Sequence, residues 1–226
     1  MKEKAKEKTE TDLKNWSYLD ELKDDIFGFK LKKELKEDGA VFQIFSYENA
    51  DEHKNVCAYF HDETMEYKVS VSIGLINFCD VSFFADSIKI FEKNLRENLE
   101  KQIGILARKE DENISFLIEE KGITDWDFEK NLPKNLEGFS LFSTPKNPTL
   151  TINGSYIIFD YTDFSINSNF AIFYNIFRDE FFGESRINGT PTVTYDFDSK
   201  NLKELEEKLK MNMVNYLKEI RNKAVA

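Results

Sequence analysis

Two stretches of strict period-two alternation, each followed by a long apolar stripe at helical period, constrain this chain more than any other feature. Tyr67, Val69, Val71 and Ile73 alternate with Lys68, Ser70, Ser72 and Gly74; Val193, Tyr195 and Phe197 alternate with Thr192, Thr194 and Asp196. Successive side chains of a strand point to opposite faces, so each run predicts a half-buried strand. The first run is followed by Ile88, Phe91, Leu95, Leu99 and Ile103, the second by Leu202, Leu205, Leu209, Met213, Leu217 and Ile220. These three- and four-residue steps line one helical face and predict helices over 87–107 and 200–222. Asp86-Ser87 and Asp198-Ser199 stand at the expected helix starts, where a carboxylate accepts backbone N–H bonds and complements the helix dipole.

Further strands are predicted over Ala40–Ser46, Val56–His61, Cys79–Phe84, Gly138–Ser143 and Tyr156–Tyr161. Asn153-Gly154 between Thr149-Leu-Thr-Ile and Ser155-Tyr-Ile-Ile predicts a hairpin, because both turn residues tolerate positive φ. Leu13, Trp16, Leu19 or Leu22, Ile26 and Phe29 predict an N-terminal amphipathic helix opened by Thr11-Asp12. Phe170, Phe173, Phe177 and Phe181 fit a helix, but alignment with Tyr67–Gly74 favours one long strand. A one-sided sheet must cover its apolar face, so the expected class is α+β: antiparallel sheet covered by long amphipathic helices. Short coiled-coil seams are the other use of such stripes.

The chain divides into similar halves, 1–113 and 114–226, each closing on a helix. Trp16-Ser-Tyr18 with Leu22 resembles Trp126-Asp-Phe128 with Leu132, and Phe91…Leu95 resembles Leu205…Leu209. Between them, Asp38-Gly39 aligns with Glu137-Gly138 and Phe60 with Phe159. A tandem duplication is the expectation, with a single α+β domain as its rival.

Of 226 residues, 31 are basic and 42 acidic, a net charge of −11. The excess sits in residues 41–130, which hold 10 bases and 19 acids, for −9. Phosphate neutralisation requires clustered Lys and Arg, so nucleic acid is not an expected partner, and anionic membrane surfaces are disfavoured for the same reason. A basic protein partner would be steered by that field. No apolar run reaches membrane-spanning length, and the charged N-terminus lacks a signal-peptide core. Two cysteines fit a reducing compartment, so a cytoplasmic location is expected and the four Asn-X-Ser/Thr triplets are chance. The Lys, Asn, Ile and Phe bias matches an AT-rich genome, such as that of a low-GC bacterium.

Motifs for ATP, dinucleotides and structural zinc are absent, and no cofactor is expected. Three constellations stand out. His61-Asp62-Glu63 with Glu66 is a polar hairpin end that faces solvent or, with His53, holds a divalent ion. Asp160, Asp163, Asp179-Glu180, Glu184, Asp196 and Asp198 offer paired carboxylates, for capping or for metal and acid–base work. Phe181-Phe182-Gly183-Glu184-Ser185-Arg186 reads as an exposed turn with aromatic and Arg character, the composition of a binding hot spot, or as a hairpin with inward rings. Cys79 is placed on the apolar face with Val81 and Phe83, and Cys57 on the opposite face beside Tyr59, which excludes a disulfide.

The function expected is therefore a non-catalytic, protein-binding one of inhibitor, immunity, adaptor or chaperone type, with Phe181, Phe182, Arg186, Asp62, Glu63 and Glu66 as partner-binding residues. A Phe-lined carrier of small molecules or lipids and a carboxylate-dependent, metal-assisted enzyme are the alternatives. The sequence does not define the oligomeric state.

Overall fold

The computed structural model describes residues 2–107, 116–151 and 154–226. The chain forms two compact units, 1–111 and 112–226.

The first unit opens with helices α1 (Lys2–Lys14) and α2 (Tyr18–Glu21). Strands β1 (Asp25–Ile26), β2 (Phe29–Lys32), β3 (Lys36–Asp38), β4 (Val41–Asn49), β5 (Lys54–His61), β6 (Glu66–Ile73) and β7 (Ile76–Ala85) follow, then helix α3 (Ile88–Leu106). The strands make one antiparallel sheet of order β1-β2-β4-β5-β6-β7, with β3 paired to β4. The N-terminal helix expected to run through Phe29 is shorter than its apolar spacing implied. Phe27 and Gly28, at φ 52 and 88, form a two-residue turn that reverses the chain and pairs Ile26 with Phe29. Trp16, Ile26 and Phe29 are all buried, but from the α1–α2 connection, β1 and β2 respectively.

The second unit contains α4 (Phe116–Glu120), a short 3₁₀ turn at Phe128–Lys130, and strands β8 (Asn135–Leu136), β9 (Phe139–Ser143), β10 (Thr149–Leu150), β11 (Ser155–Asp163), β12 (Ser168–Asn175), β13 (Glu180–Ile187) and β14 (Thr190–Ser199). Helix α5 (Leu202–Val225) closes it. The sheet order is β14-β13-β12-β11-β9-β8, with β10 paired to β11. Leu150 pairs with Tyr156 as a hairpin requires, while Asn153 of the expected turn lies outside the described residues. The 170–182 segment is neither one helix nor one long strand. It is the β12–β13 hairpin, turned where Asn175 Oδ1 accepts the N–H groups of Phe177 and Arg178, both at 3.0 Å.

Read in sequence order, the two sheets pair their strands identically. The register irregularity of β4 on β5 at Gln43/Phe45 recurs on β11 and β12 at Ile157/Phe159. That of β6 on β7 at Tyr67/Val69 recurs on β13 and β14 at Phe181/Gly183. Both recurrences are 114 positions on. The Phe27-Gly28 turn recurs 110 positions on as Glu137-Gly138, with φ 51 and 85. This corrects two of the alignments above: Glu137-Gly138 corresponds to Phe27-Gly28, not Asp38-Gly39, and Phe159 to Phe45, not Phe60. The structure thus places a four-residue difference between the second and fourth strands of each sheet.

Packing repeats with the register. Trp16 Nε1 donates to Glu92 on α3 at 2.8 Å, and Trp126 Nε1 to Glu206 on α5 at 2.6 Å. The Tyr47 hydroxyl donates to Lys23 O, and the Tyr161 hydroxyl to Pro133 O. Phe91 of α3 stacks on Tyr67 of β6 at 5.2 Å. The buried stripe of α5, Leu205, Leu209, Met213, Leu217 and Ile220, shares one core with Phe159, Phe170, Phe181 and Phe197 of the sheet. Each such side chain contributes about 2 kcal/mol on burial. α5 is capped by Asn201, whose Oδ1 accepts Glu204 N at 3.0 Å. Asp198, expected in that role, lies within β14 instead, with Oδ1 buried and unbonded among the described residues. No helix of the described residues is long and apolar enough to cross a membrane.

Candidate functional site

The Phe-Phe-Gly run is not an exposed turn. It lies in β13, where alternation sends Phe181 into the core, its ring 4.9 Å from that of Tyr174. Gly183 follows on the same inner face. A Cβ there would come within 2.9 Å of Thr194 Cγ2 and 3.3 Å of the Phe170 ring, so this position needs glycine for close packing.

Phe182, Glu184 and Arg186 project to the other face, away from the α5 core, and are half-buried. Phe182 stacks on Phe173 of β12 at 5.2 Å and 14°. Across to the sheet edge, Glu184 pairs with Val193 and Arg186 with Pro191 of β14. Val193 is 58% exposed and Tyr195, at the irregularity of the edge strand, 78%. In the other direction Glu184 pairs with Ala171 and Arg186 with Asn169; these pair in turn with Asp160 and Thr162 of β11. One sheet face therefore carries an exposed apolar edge, a half-buried Phe-Glu-Arg row, and a buried polar cluster.

In that cluster Asp160 has no exposed surface. Its Oδ1 accepts Asn169 Nδ2 at 3.0 Å and its Oδ2 accepts the Thr162 hydroxyl at 2.9 Å. Burial pushes the Asp160 carboxyl up to about 7, against the opposing pull of those two bonds and of Arg186. Burial also raises Glu184, which Arg186 opposes. Asn169 Oδ1 is buried without a bonding partner among the described residues. Sequence reasoning had singled out Asp160 and Glu184 as carboxylates and Arg186 as a hot-spot residue, on separate grounds. The strand register brings them onto one face. Asn169 and Thr162 were missed, because nothing but pairing across strands connects them to Asp160.

The remaining predicted residues belong to the first unit. His61 and Glu66 pair across the β5–β6 hairpin. Asp62 is buried, with its N–H bonded to Ala40 O at 2.8 Å and its Oδ1 unbonded among the described residues. Glu63 is exposed. Glu66 is paired with Lys68 at 3.0 Å, and that bond holds its carboxyl below the ordinary value. His61 Nδ1 faces the N–H and hydroxyl of Thr64, both at 3.4 Å. Among the described residues, no group of three His, Cys, Asp or Glu side chains could hold a metal ion, neither here nor at the carboxylates.

Cys57 and Cys79 do not lie on opposite faces. Cys57 pairs with Ser70, and Ser70 with Cys79, so all three share one face. The register of β7 on β6 shifts by an odd number of residues between Asp80 and Ala85, which breaks the alternation used to place Cys79 with Phe83. Val81 consequently turns outward and is 72% exposed. Both cysteines are free.

No family model, curated protein or solved structure matches this chain.

Proposed function

We propose that the chain is a non-catalytic protein-binding protein, and that its partner docks on the outer face of β13–β14 around Phe182, Arg186, Val193 and Tyr195. The observation that carries this reading is the exposure of Val193 and Tyr195 beside Phe182 and Arg186. Aromatic and Arg side chains with an adjacent apolar edge are the composition of binding hot spots. Catalysis is the weaker reading, since Asp160, the carboxyl best tuned for proton transfer, is sealed from any substrate. The −9 charge of residues 41–130 supports long-range steering of a basic partner.

In the same reading the two units are duplicated copies of one module, a sheet covered by a long helix. Matching strand order and register irregularities 114 positions apart support this. The exposed apolar residue at the irregular edge strand also recurs, as Val81 and Tyr195.

Steering by the acidic stretch makes the association rate the informative measurement. Raising salt from about 50 to 500 mM shortens the screening length severalfold and is expected to slow association by about tenfold. An association rate unchanged over that range would remove the electrostatic part of the proposal.

A further inference from the structure

The outer face of β13 carries two charges with no close partner among the described residues. Glu184 and Arg186 are both half-buried, and neither side chain makes a hydrogen bond or ion pair there. Arg186 acts on Glu184 and on buried Asp160 through space, without a bond to either. Charges withdrawn from water in this way are costly until an opposite charge meets them. At the 114-position offset of the register irregularities, Glu184 and Arg186 correspond to Ser70 and Ser72 of β6. The first unit folds with two serines there, so the fold itself does not require the charges.

Their arrangement is self-complementary. Residues two apart on a strand share a face and stand about 7 Å apart. A two-fold axis can lay a second copy face to face on this strand pair in either of two directions. An axis along the strands sets Glu184 against Glu184 and Arg186 against Arg186, which repel. An axis across the strands, level with Ser185, sets each Glu184 against the other copy's Arg186. Sheet faces about 10 Å apart are within the joint reach of a Glu and an Arg side chain. The same operation brings the edge strands into apolar contact. Val193 lies beside Glu184 in the ladder and Pro191 beside Arg186, so each Val193 meets the other copy's Pro191. Both residues are exposed.

Net charge points the same way. Residues 131–226 hold 11 bases and 12 acids, for −1, against −9 for residues 41–130. The second unit therefore meets its own copy with little repulsion, whereas the acidic stretch opposes self-association.

We propose that a second copy of this chain occupies the β13–β14 face, in an isologous dimer held by two reciprocal Glu184–Arg186 pairs beside Val193–Pro191 contacts. The inference rests on the docking face proposed above and gives that face a resting occupant. The protein partner and the second copy compete for the same residues, so self-association and partner capture exclude each other. The contact is a narrow strip, so the dimer belongs to the weak, transient class, with Kd about 10–100 μM.

The test is sedimentation equilibrium of the purified full chain from about 5 to about 500 μM, at about 0.15 M salt, which screens the acidic stretches. A monomer–dimer equilibrium is expected. Glu184→Arg and Arg186→Glu each set like charges together and should weaken it at least tenfold. An equimolar mixture of the two variants restores opposite charges across the contact and should dimerise with wild-type affinity. The double variant, Glu184→Arg with Arg186→Glu, should do the same, and recovery in either case shows that the substituted chains fold. A wild-type chain monomeric throughout, single variants that dimerise undiminished, or a mixture that stays monomeric would each overturn the proposal. A monomeric wild type that still captures a protein from lysate would overturn the dimer alone, and a dimer that captures none would remove the partner reading alone.

Discussion

Asp160 is the residue whose chemistry departs furthest from its sequence appearance. In the unfolded chain its carboxyl ionises near its ordinary value of 3.8, and in the folded chain near 7. The folded state therefore holds the proton more tightly. The resulting stabilisation is fully present below the unfolded pKa and is lost as pH rises from about 4 through about 7. The difference between the two states corresponds to roughly 4 kcal/mol over that window. Asp160→Asn preserves acceptance from Asn169 and cannot ionise, so its stability should be nearly flat from pH 5 to 8, and at pH 8 it should exceed the wild type by a few kcal/mol. Denaturant midpoints at the two pH values measure this; parallel pH profiles for the two proteins would mean that Asp160 ionises as freely as in solution. The sequence displayed Asp160, Glu184 and Arg186 but not their meeting, because β11, β12 and β13 join only through long-range pairing. Phe181 and Phe182 were legible as a pair, and only the strand assignment separates the core ring from the surface ring.

Elements were legible where one period ran unbroken and misread where the register broke it, as in β14, where Val193 and Tyr195 of the alternating run are exposed while Thr194 and Phe197 are buried. The stripes of α3 and α5 and the alternation of β6 hold because each element buries one face along its whole length. The N-terminal apolar spacing mimics a helix because the α1–α2 connection, β1 and β2 contribute Trp16, Ile26 and Phe29 at helical intervals, and the Phe27-Gly28 turn leaves too little periodic signal to reveal it. Cys79 was misplaced by the irregularity in β7, an insertion that alternation has no means of anticipating. The paired turns yield an element-scale prediction. Gly28 has open space where a side chain would project, whereas a Cβ on Gly138 would collide with the Arg221 guanidinium. Arg221 bonds Glu137 O at 2.7 Å and Asp163 at 2.6 Å, tying α5 to the turn and to β11. Gly28→Ala should cost about 1–2 kcal/mol, the price of positive φ alone. Gly138→Ala should cost about 1–2 kcal/mol more as those bonds are displaced. Equal losses in chemical denaturation would show that Arg221 moves aside freely.

At the scale of the molecule, two units share strand order, register irregularities and Trp-to-helix hydrogen bonds, yet carry different surface chemistry on equivalent strands. The first presents thiols, a phenol and an acidic hairpin; the second presents Phe182, Arg186 and an apolar edge. Under the duplication proposed above, the shared core keeps the fold while each outer face is free to differ. The sequence signals for two halves are Trp16, Trp126 and the two helices, whose spacing is nearly constant. Their strands were not, because strand residues are interchangeable among apolar types and leave few landmarks for alignment. The binding proposal belongs to this scale. Its most direct test is affinity capture from the source cell's lysate with the wild-type chain and with Arg186→Ala and Tyr195→Ser variants, in parallel at low and moderate salt. One stoichiometric protein is expected with the wild type, reduced at least tenfold by either variant and weakened by salt. Recovery of that protein undiminished by both variants would contradict docking on β13–β14, and a small molecule retained with no protein partner would contradict the protein-binding reading as a whole.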